Sequence, residues 1–142
     1  MSRLCRKAIQ KGGPQFAIEF CNLKASSIVD SLSQIGDCNI SRVSIKNRNL
    51  ENGLQGDQEK ELWEIFEKSN ASDTIIQTSK KLVYYKRINL ALPACLKCHG
   101  NTSTDINAAT LDKLSELYPN DLATGYKLND FRGLWKIEFD NN

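Results

Sequence analysis

From Pro14 to about Gln34 the apolar residues Ile18, Cys21, Ala25, Ile28 and Leu32 recur at steps of three and four, a spacing that predicts one face of a helix. Residues 2–11 predict a shorter helix. Gly12, Gly13 and Pro14 interrupt it, with Pro14 suited to the first turn of the next helix. Gly36 and Asp37 supply stop chemistry. The pattern then alternates from Asn39 to Asn47, with Ile40, Arg42, Ser44 and Lys46 on one side and Val43, Ile45 and Asn47 on the other, which predicts a strand. After a loop at residues 49–56, Asp57 is placed to cap a helix through Lys68 that buries Leu62, Ile65 and Phe66. Thr74–Thr78 and Leu82–Leu90 predict two strands around a tight turn, with Leu82, Tyr84, Ile88 and Leu90 sharing a face. Asn107 can cap a short helix carrying Leu111, Leu114 and Leu117 and ended by Pro119. Beyond a loop at 121–132, Trp135, Ile137 and Phe139 mark a last half-buried strand. The expected fold is α/β: a helical N-terminal part over residues 1–35, then a mainly antiparallel sheet with helical insertions, all in one domain spanning 1–142.

Composition narrows the function classes. The chain is 40% hydrophobic and 25% charged, which argues against disorder, and no apolar run is long enough to cross a bilayer. A net charge of +2 gives no electrostatic footprint for nucleic acid, and the short basic cluster from Arg42 to Arg48 lacks interleaved aromatic residues. Five cysteines cannot form a complete disulfide framework. The chain has one histidine, His99, and one methionine, Met1, and those two counts restrict its metal chemistry.

Cys95-Leu96-Lys97-Cys98-His99 has the C-x-x-C-H haem-attachment pattern. Two thiols three positions apart can reach both vinyl groups of one porphyrin, and the next residue offers an imidazole to the iron. Gly100 then lets the backbone run close to the macrocycle. The competing readings are weaker. Zinc requires four tetrahedral ligands; Cys38 would have to join Cys95, Cys98 and His99, and adjacent Cys98 and His99 chelate poorly. A thioredoxin-like dithiol requires a βαβ setting and no histidine. The expected cofactor is therefore one covalent haem c, with His99 as proximal ligand. Such haem is attached outside the cytoplasm, so an extracytoplasmic location (periplasm or thylakoid lumen) is expected. Met1 to Gly13 has no signal-peptide apolar stretch, so any membrane link is expected through an N-terminal segment removed from or absent in this chain.

The opposite face of the iron has no second histidine and no internal methionine available. A cysteine thiolate, a lysine, a tyrosine or an open site remain. Cys21 lies on the apolar helical stripe, where a lone cysteine also serves as a small hydrophobe. Cys38 sits in a turn and Cys5 near the start of the chain.

Four blocks of the sequence resemble a family of c-type haem domains with a PAS-like fold. Its members occur as single-haem cyanobacterial proteins and as extracytoplasmic sensor regions of bacterial kinases and chemoreceptors. The blocks are Ala17-Ile18-Glu19-Phe20-Cys21, Arg42 to Asn49, Cys95 to Gly100, and Tyr118-Pro119 through Asp121, Gly125-Tyr126 and Asp130 to Arg132-Gly133. The sequence departs at Leu50, where the family usually has proline, and at Asn129, where glycine is usual. The resemblance implies a PAS-like α/β domain with N-terminal helices packed on the sheet, and implies Cys21 as the distal iron ligand.

Haem propionates need cationic or hydrogen-bonding partners when buried. Arg42 and Lys46 share a predicted strand face, with Arg48 close behind; Arg87 and Arg132 are further candidates. A solvated, charged strand edge would show the same pattern. Tyr84, Tyr85, Tyr126 and Trp135 are candidates to line the macrocycle or to be ordinary core. The expected function is redox or gas sensing through a change of haem ligation, acting on a signalling or redox partner protein and taking a diatomic gas when reduced. A small electron-transfer cytochrome is the alternative. A peroxidase-like enzyme is not expected, because no distal histidine is available for acid–base work.

Overall fold

The structure, a computed structural model, describes residues 3–140, and within them the side chains of residues 3–6 and 21–28 lie outside what is described. Helix α1 (Arg3–Gly36) is broken at Gly12 and Gly13, as the sequence predicts. Gly13 has φ 74° and ψ −174°, a conformation open essentially to glycine. A Cβ on Gly12 would lie 2.6 Å from the Phe16 Cβ. Pro14 then opens the second segment. Past Gly36 the chain turns through Asp37 in the left-handed region, φ 46°.

Strands β1 (Asn39–Val43), β2 (Asp73–Gln77), β3 (Lys81–Asn89) and β4 (Phe131–Asp140) form one antiparallel sheet in the order β1-β4-β3-β2. Helix α2 (Gly56–Lys68) covers the sheet. Leu62 and Phe66 pack with Val43, Val83, Tyr85 and Leu134 in the larger core; Phe66 stacks against Phe131, and Trp63 meets the same ring at a tilt. Each such side chain, fully buried, contributes roughly 1.5–3 kcal/mol. A buried polar group joins helix and sheet: Glu59 accepts from the Tyr85 hydroxyl at 3.0 Å and pairs with Lys136 at 2.7 Å. Arg87 donates to the carbonyls of Phe66, Ser69 and Ala71, closing the C-terminus of α2. That guanidinium is thus engaged by three carbonyls at the end of α2.

A smaller cluster joins α1 to α4 (Ala108–Leu117): Ile18, Ile106 and Leu114 are buried, with Cys98, Leu111, Leu117 and Tyr118 packed around them. Asn107 caps α4 by accepting from the Thr110 amide at 2.8 Å. The short helix α3 (Pro93–His99) carries the C-x-x-C-H stretch.

Several expectations need correction. The first strand stops at Val43, because the Ser44 hydroxyl turns to donate to the Arg132 carbonyl at 2.8 Å and the chain bends. Arg42 and Lys46 therefore do not share a strand face. Gln55, not Asp57, occupies the cap position of α2, and Ile65 is exposed while Trp63 and Glu59 are buried. The core face of β3 is Val83 and Tyr85, because that parity points at α2. The last strand begins earlier, at Phe131, and its most buried residue is Leu134. As expected, the N-terminal helix α1 packs on the sheet, at β1, and also against α4; α2 covers the larger core.

Candidate haem site

Pro93 starts α3 at a position where its missing N–H costs nothing. Cys95 and Cys98 fall one turn apart, both half-buried, and the helix ends at His99. Gly100 closes it, its N–H donating to the Leu96 carbonyl at 2.9 Å. A Cβ on Gly100 would lie 2.6 Å from the Asp105 side chain and 2.7 Å from the Leu96 oxygen. The glycine is required by the chain's own turn, a different reason from the one its sequence position suggests.

The segment from Asp121 to Tyr126 runs alongside this helix end. Tyr126 N–H donates to the His99 carbonyl at 2.9 Å and Gly125 N–H to the Gly100 carbonyl at 2.8 Å. Between them and Asp121, the Ala123 carbonyl sits 2.7 Å from His99 Nδ1. A carbonyl can only accept, so Nδ1 carries the proton and Nε2 keeps its lone pair. Burial pushes the imidazole pKa well below its ordinary value; the neighbouring charges of Arg48, Arg132 and Arg42 push the same way, and the Ala123 carbonyl opposes them. The result is a neutral imidazole with Nε2 available to a metal, the state a haem ligand requires.

Four cationic residues surround this point. Lys46 Nζ donates to the Thr124 carbonyl at 2.6 Å and lies 4.4 Å from the centre of the Tyr126 ring. Arg132 lies 5.5 Å from the same ring and donates to the Ser44 hydroxyl at 2.7 Å; its burial lowers its pKa. Tyr126, buried, meets His99 edge-on at 6.4 Å. Arg48 donates to Asp121 at 3.0 Å, to the Cys98 carbonyl at 2.6 Å and to the Ala123 carbonyl at 3.3 Å. Arg42 is exposed and stacks over Trp135 at 5.4 Å. An open cleft of about 170 Å³ adjoins the region, lined by Leu111, Leu114, Tyr118, Asp121 and Thr124 among others.

Cys95, Cys98, His99, Tyr126, Lys46, Arg48 and Arg132 are thus brought together, while Arg42 stands at the margin. Cys21 and Cys5 lie outside the described side chains. Cys38 is half-buried near Ser33, Lys81 and Glu138. Among the described residues no three His, Cys, Asp or Glu side chains are grouped to hold a bare metal ion, which leaves the zinc reading unsupported. Two participants escaped the residue-by-residue reading. Ala123 acts through its backbone oxygen, which no side-chain pattern reveals, and Asp121 was visible only within the last family block. A half-buried thiol pair, a neutral imidazole, the apolar side chains of Leu111 and Leu114 and nearby cations are of the kind a haem requires.

Fold and site together define an α/β domain, consistent with a PAS-like architecture, with helices around a four-stranded antiparallel sheet and a C-x-x-C-H helix at one side. The chain belongs to the Tll0287-like family, whose model matches residues 2–139. Its fold is similar to that of the cyanobacterial heme-protein Tll0287, with a TM-score of 0.71 over 82% of this chain and 69% of that one at 20% identity. Among curated proteins no match was found.

Proposed function

We propose that this chain is a c-type haem protein, with one haem attached through Cys95 and Cys98 and its iron held by His99. The observation that carries the reading is the 2.7 Å contact of His99 Nδ1 with the Ala123 carbonyl, directly after the two cysteines, because it fixes the tautomer and the ring orientation a ligand needs. The heme-protein Tll0287 shares this fold, which supports the reading. Bound haem would supply a one-electron ferric/ferrous couple and, where its distal ligand is released, a position for a diatomic gas. Arg132 and Lys46 are the leading partners for its propionates, Arg42 a peripheral one. Tyr126 backs His99. Arg48, tied to three protein acceptors, holds the motif in place.

Cys21 is proposed as the distal ligand. It follows Ile18 by three residues in α1, and Ile18 packs in the cluster that contains Cys98. A helix coupled in this way to the haem motif suits a redox or gas sensor, because a change of ligation at Cys21 would alter how α1 rests on α4. Electron transfer is the second reading, favoured by the dense hydrogen bonding around His99, which holds the proximal side fixed. We place the protein outside the cytoplasm, acting on a partner protein and not as an enzyme. Expressed with a c-type maturation system, it should keep its haem through acid–acetone extraction; freely extracted haem defeats the reading. Cys21→Ala should remove thiolate features from the ferric spectrum. A ferrous protein that refuses CO and retains both ligands decides for the electron carrier.

A further inference from the structure

We propose that Arg48 and Asp121 form a positioning pair that sets how strongly the Ala123 carbonyl holds His99, and through that bond tunes the potential of the haem iron; this rests on the haem reading above. The Ala123 oxygen has two donors, His99 Nδ1 at 2.7 Å and Arg48 at 3.3 Å. The Ala123 N–H is held by Asp121 Oδ1 at 2.8 Å, and Asp121 Oδ2 binds Arg48 at 3.0 Å. One peptide segment is therefore fixed at both its donor and its acceptor by the two members of one ion pair. Both side chains are largely shielded, 14% and 10% exposed, so their charges act with little screening by water. The same guanidinium donates to the Cys98 carbonyl at 2.6 Å, at the end of α3, which anchors it to the helix that carries the ligand.

The two members act in opposite senses. Arg48 withdraws electron density from the Ala123 oxygen and so limits how far that oxygen strengthens the imidazole as a donor. Its positive charge also disfavours the ferric state. Asp121 neutralises part of that charge. Hydrogen bonding around an axial ligand is one of the levers by which a protein sets a haem potential. Arg48→Gln leaves Ala123 wholly to His99 and removes the cation, so the potential falls. Asp121→Asn leaves Arg48 uncompensated, so the potential rises. Arg48→Lys keeps the charge and stays near the wild-type value. A merely structural pair would loosen the same segment in both variants and shift them in the same direction.

The test is a spectroelectrochemical titration of the haem-loaded protein and the three variants, with the ferrous iron–histidine Raman stretch recorded on the same samples. A downward shift for Arg48→Gln, an upward shift for Asp121→Asn and a higher stretching frequency in Arg48→Gln are expected. Haem-loaded variants with unchanged potentials, or shifts of one sign, overturn the tuning role and leave haem binding intact. Wild-type protein that retains no haem through acid–acetone overturns the underlying reading and this one with it. Where Arg48→Gln does not fold, Asp121→Asn against Arg48→Lys decides: a higher potential in Asp121→Asn supports the pair, and an equal or lower one overturns it.

Discussion

The α2–sheet core and the C-x-x-C-H region are organised by different forces. In the first, side chains meet side chains: Leu62 and Phe66 lie against Val43, Val83, Tyr85 and Leu134, and the rings of Trp63 and Phe66 both pack on Phe131. In the second, Ile18, Ile106 and Leu114 form a small cluster among the described residues, and much of the remaining order comes from backbone carbonyls that hold Arg48, Lys46 and His99. Dispersion and water exclusion stabilise the first region without directing any one atom. Hydrogen bonds contribute little net stability each but fix direction. Holding one imidazole nitrogen toward a ligand is a directional task, and it sits where directional contacts dominate.

The sharpest way to break this contrast is truncation in the larger core. Phe66→Ala should cost about 3–5 kcal/mol, measured by urea denaturation, since Phe66 is only 1% exposed. Leu114→Ala, in the smaller cluster, should lie near the lower end of the range for such a change, about 2 kcal/mol, and should also alter the haem spectrum. Equal losses at the two positions would abolish the distinction.

The legible part of this molecule is its local part. The break at Gly12–Gly13 and the Asn107 cap each lie within a few residues of chain, and the sequence predicts both; Cys95–His99 is legible as a motif, while its helix is seen only in the structure. The strand through Asn47 failed because what ends it is a bond from Ser44 to Arg132, far along the chain. Period alone gave Ile65 to the core of α2; the exposed Ile65 and the buried Trp63 reflect the position of Phe131, which the period does not contain. At the site, the cysteines and His99 are readable as a motif, whereas the contacts of Arg48 within the protein are not. Its contacts to Cys98 and Ala123 span 50 and 75 residues and follow from topology. Asn129, where the family usually has glycine, adopts φ 69°, a conformation asparagine tolerates better than most residues.

Smaller effects sharpen the comparison through pH. Tyr85 is pushed above its ordinary value first by burial and then by Glu59. Its neutral form is favoured in the fold, so its contribution is complete below about pH 10 and is lost as pH rises beyond that value. Tyr85→Phe should cost about 1 kcal/mol at neutral pH and flatten the alkaline limb of the stability curve. In the haem-free protein His99 works in the opposite direction. Its lowered pKa makes its contribution complete above about pH 6.5 and lost as pH falls through the folded-state value. His99→Gln should reduce the acid-side slope just below about pH 6.5, the part of the limb that the chain's one histidine supplies. Thermal melts across pH on both variants measure the two limbs separately.

The strand order has a consequence for biosynthesis. β4 lies between β1 and β3, yet it is the last of the four strands in chain order. Asn39 at the start of β1 meets Glu138 across 99 residues of chain. Until β4 emerges, only the β2–β3 hairpin can pair, and such distant closure is slow. The Cys95–His99 stretch therefore leaves the ribosome while the sheet that will frame it is still open. Cys95 and Cys98 lie between β3 and β4 in the chain, so wherever the sheet has not yet closed through β4, both thiols sit in a segment that nothing yet frames.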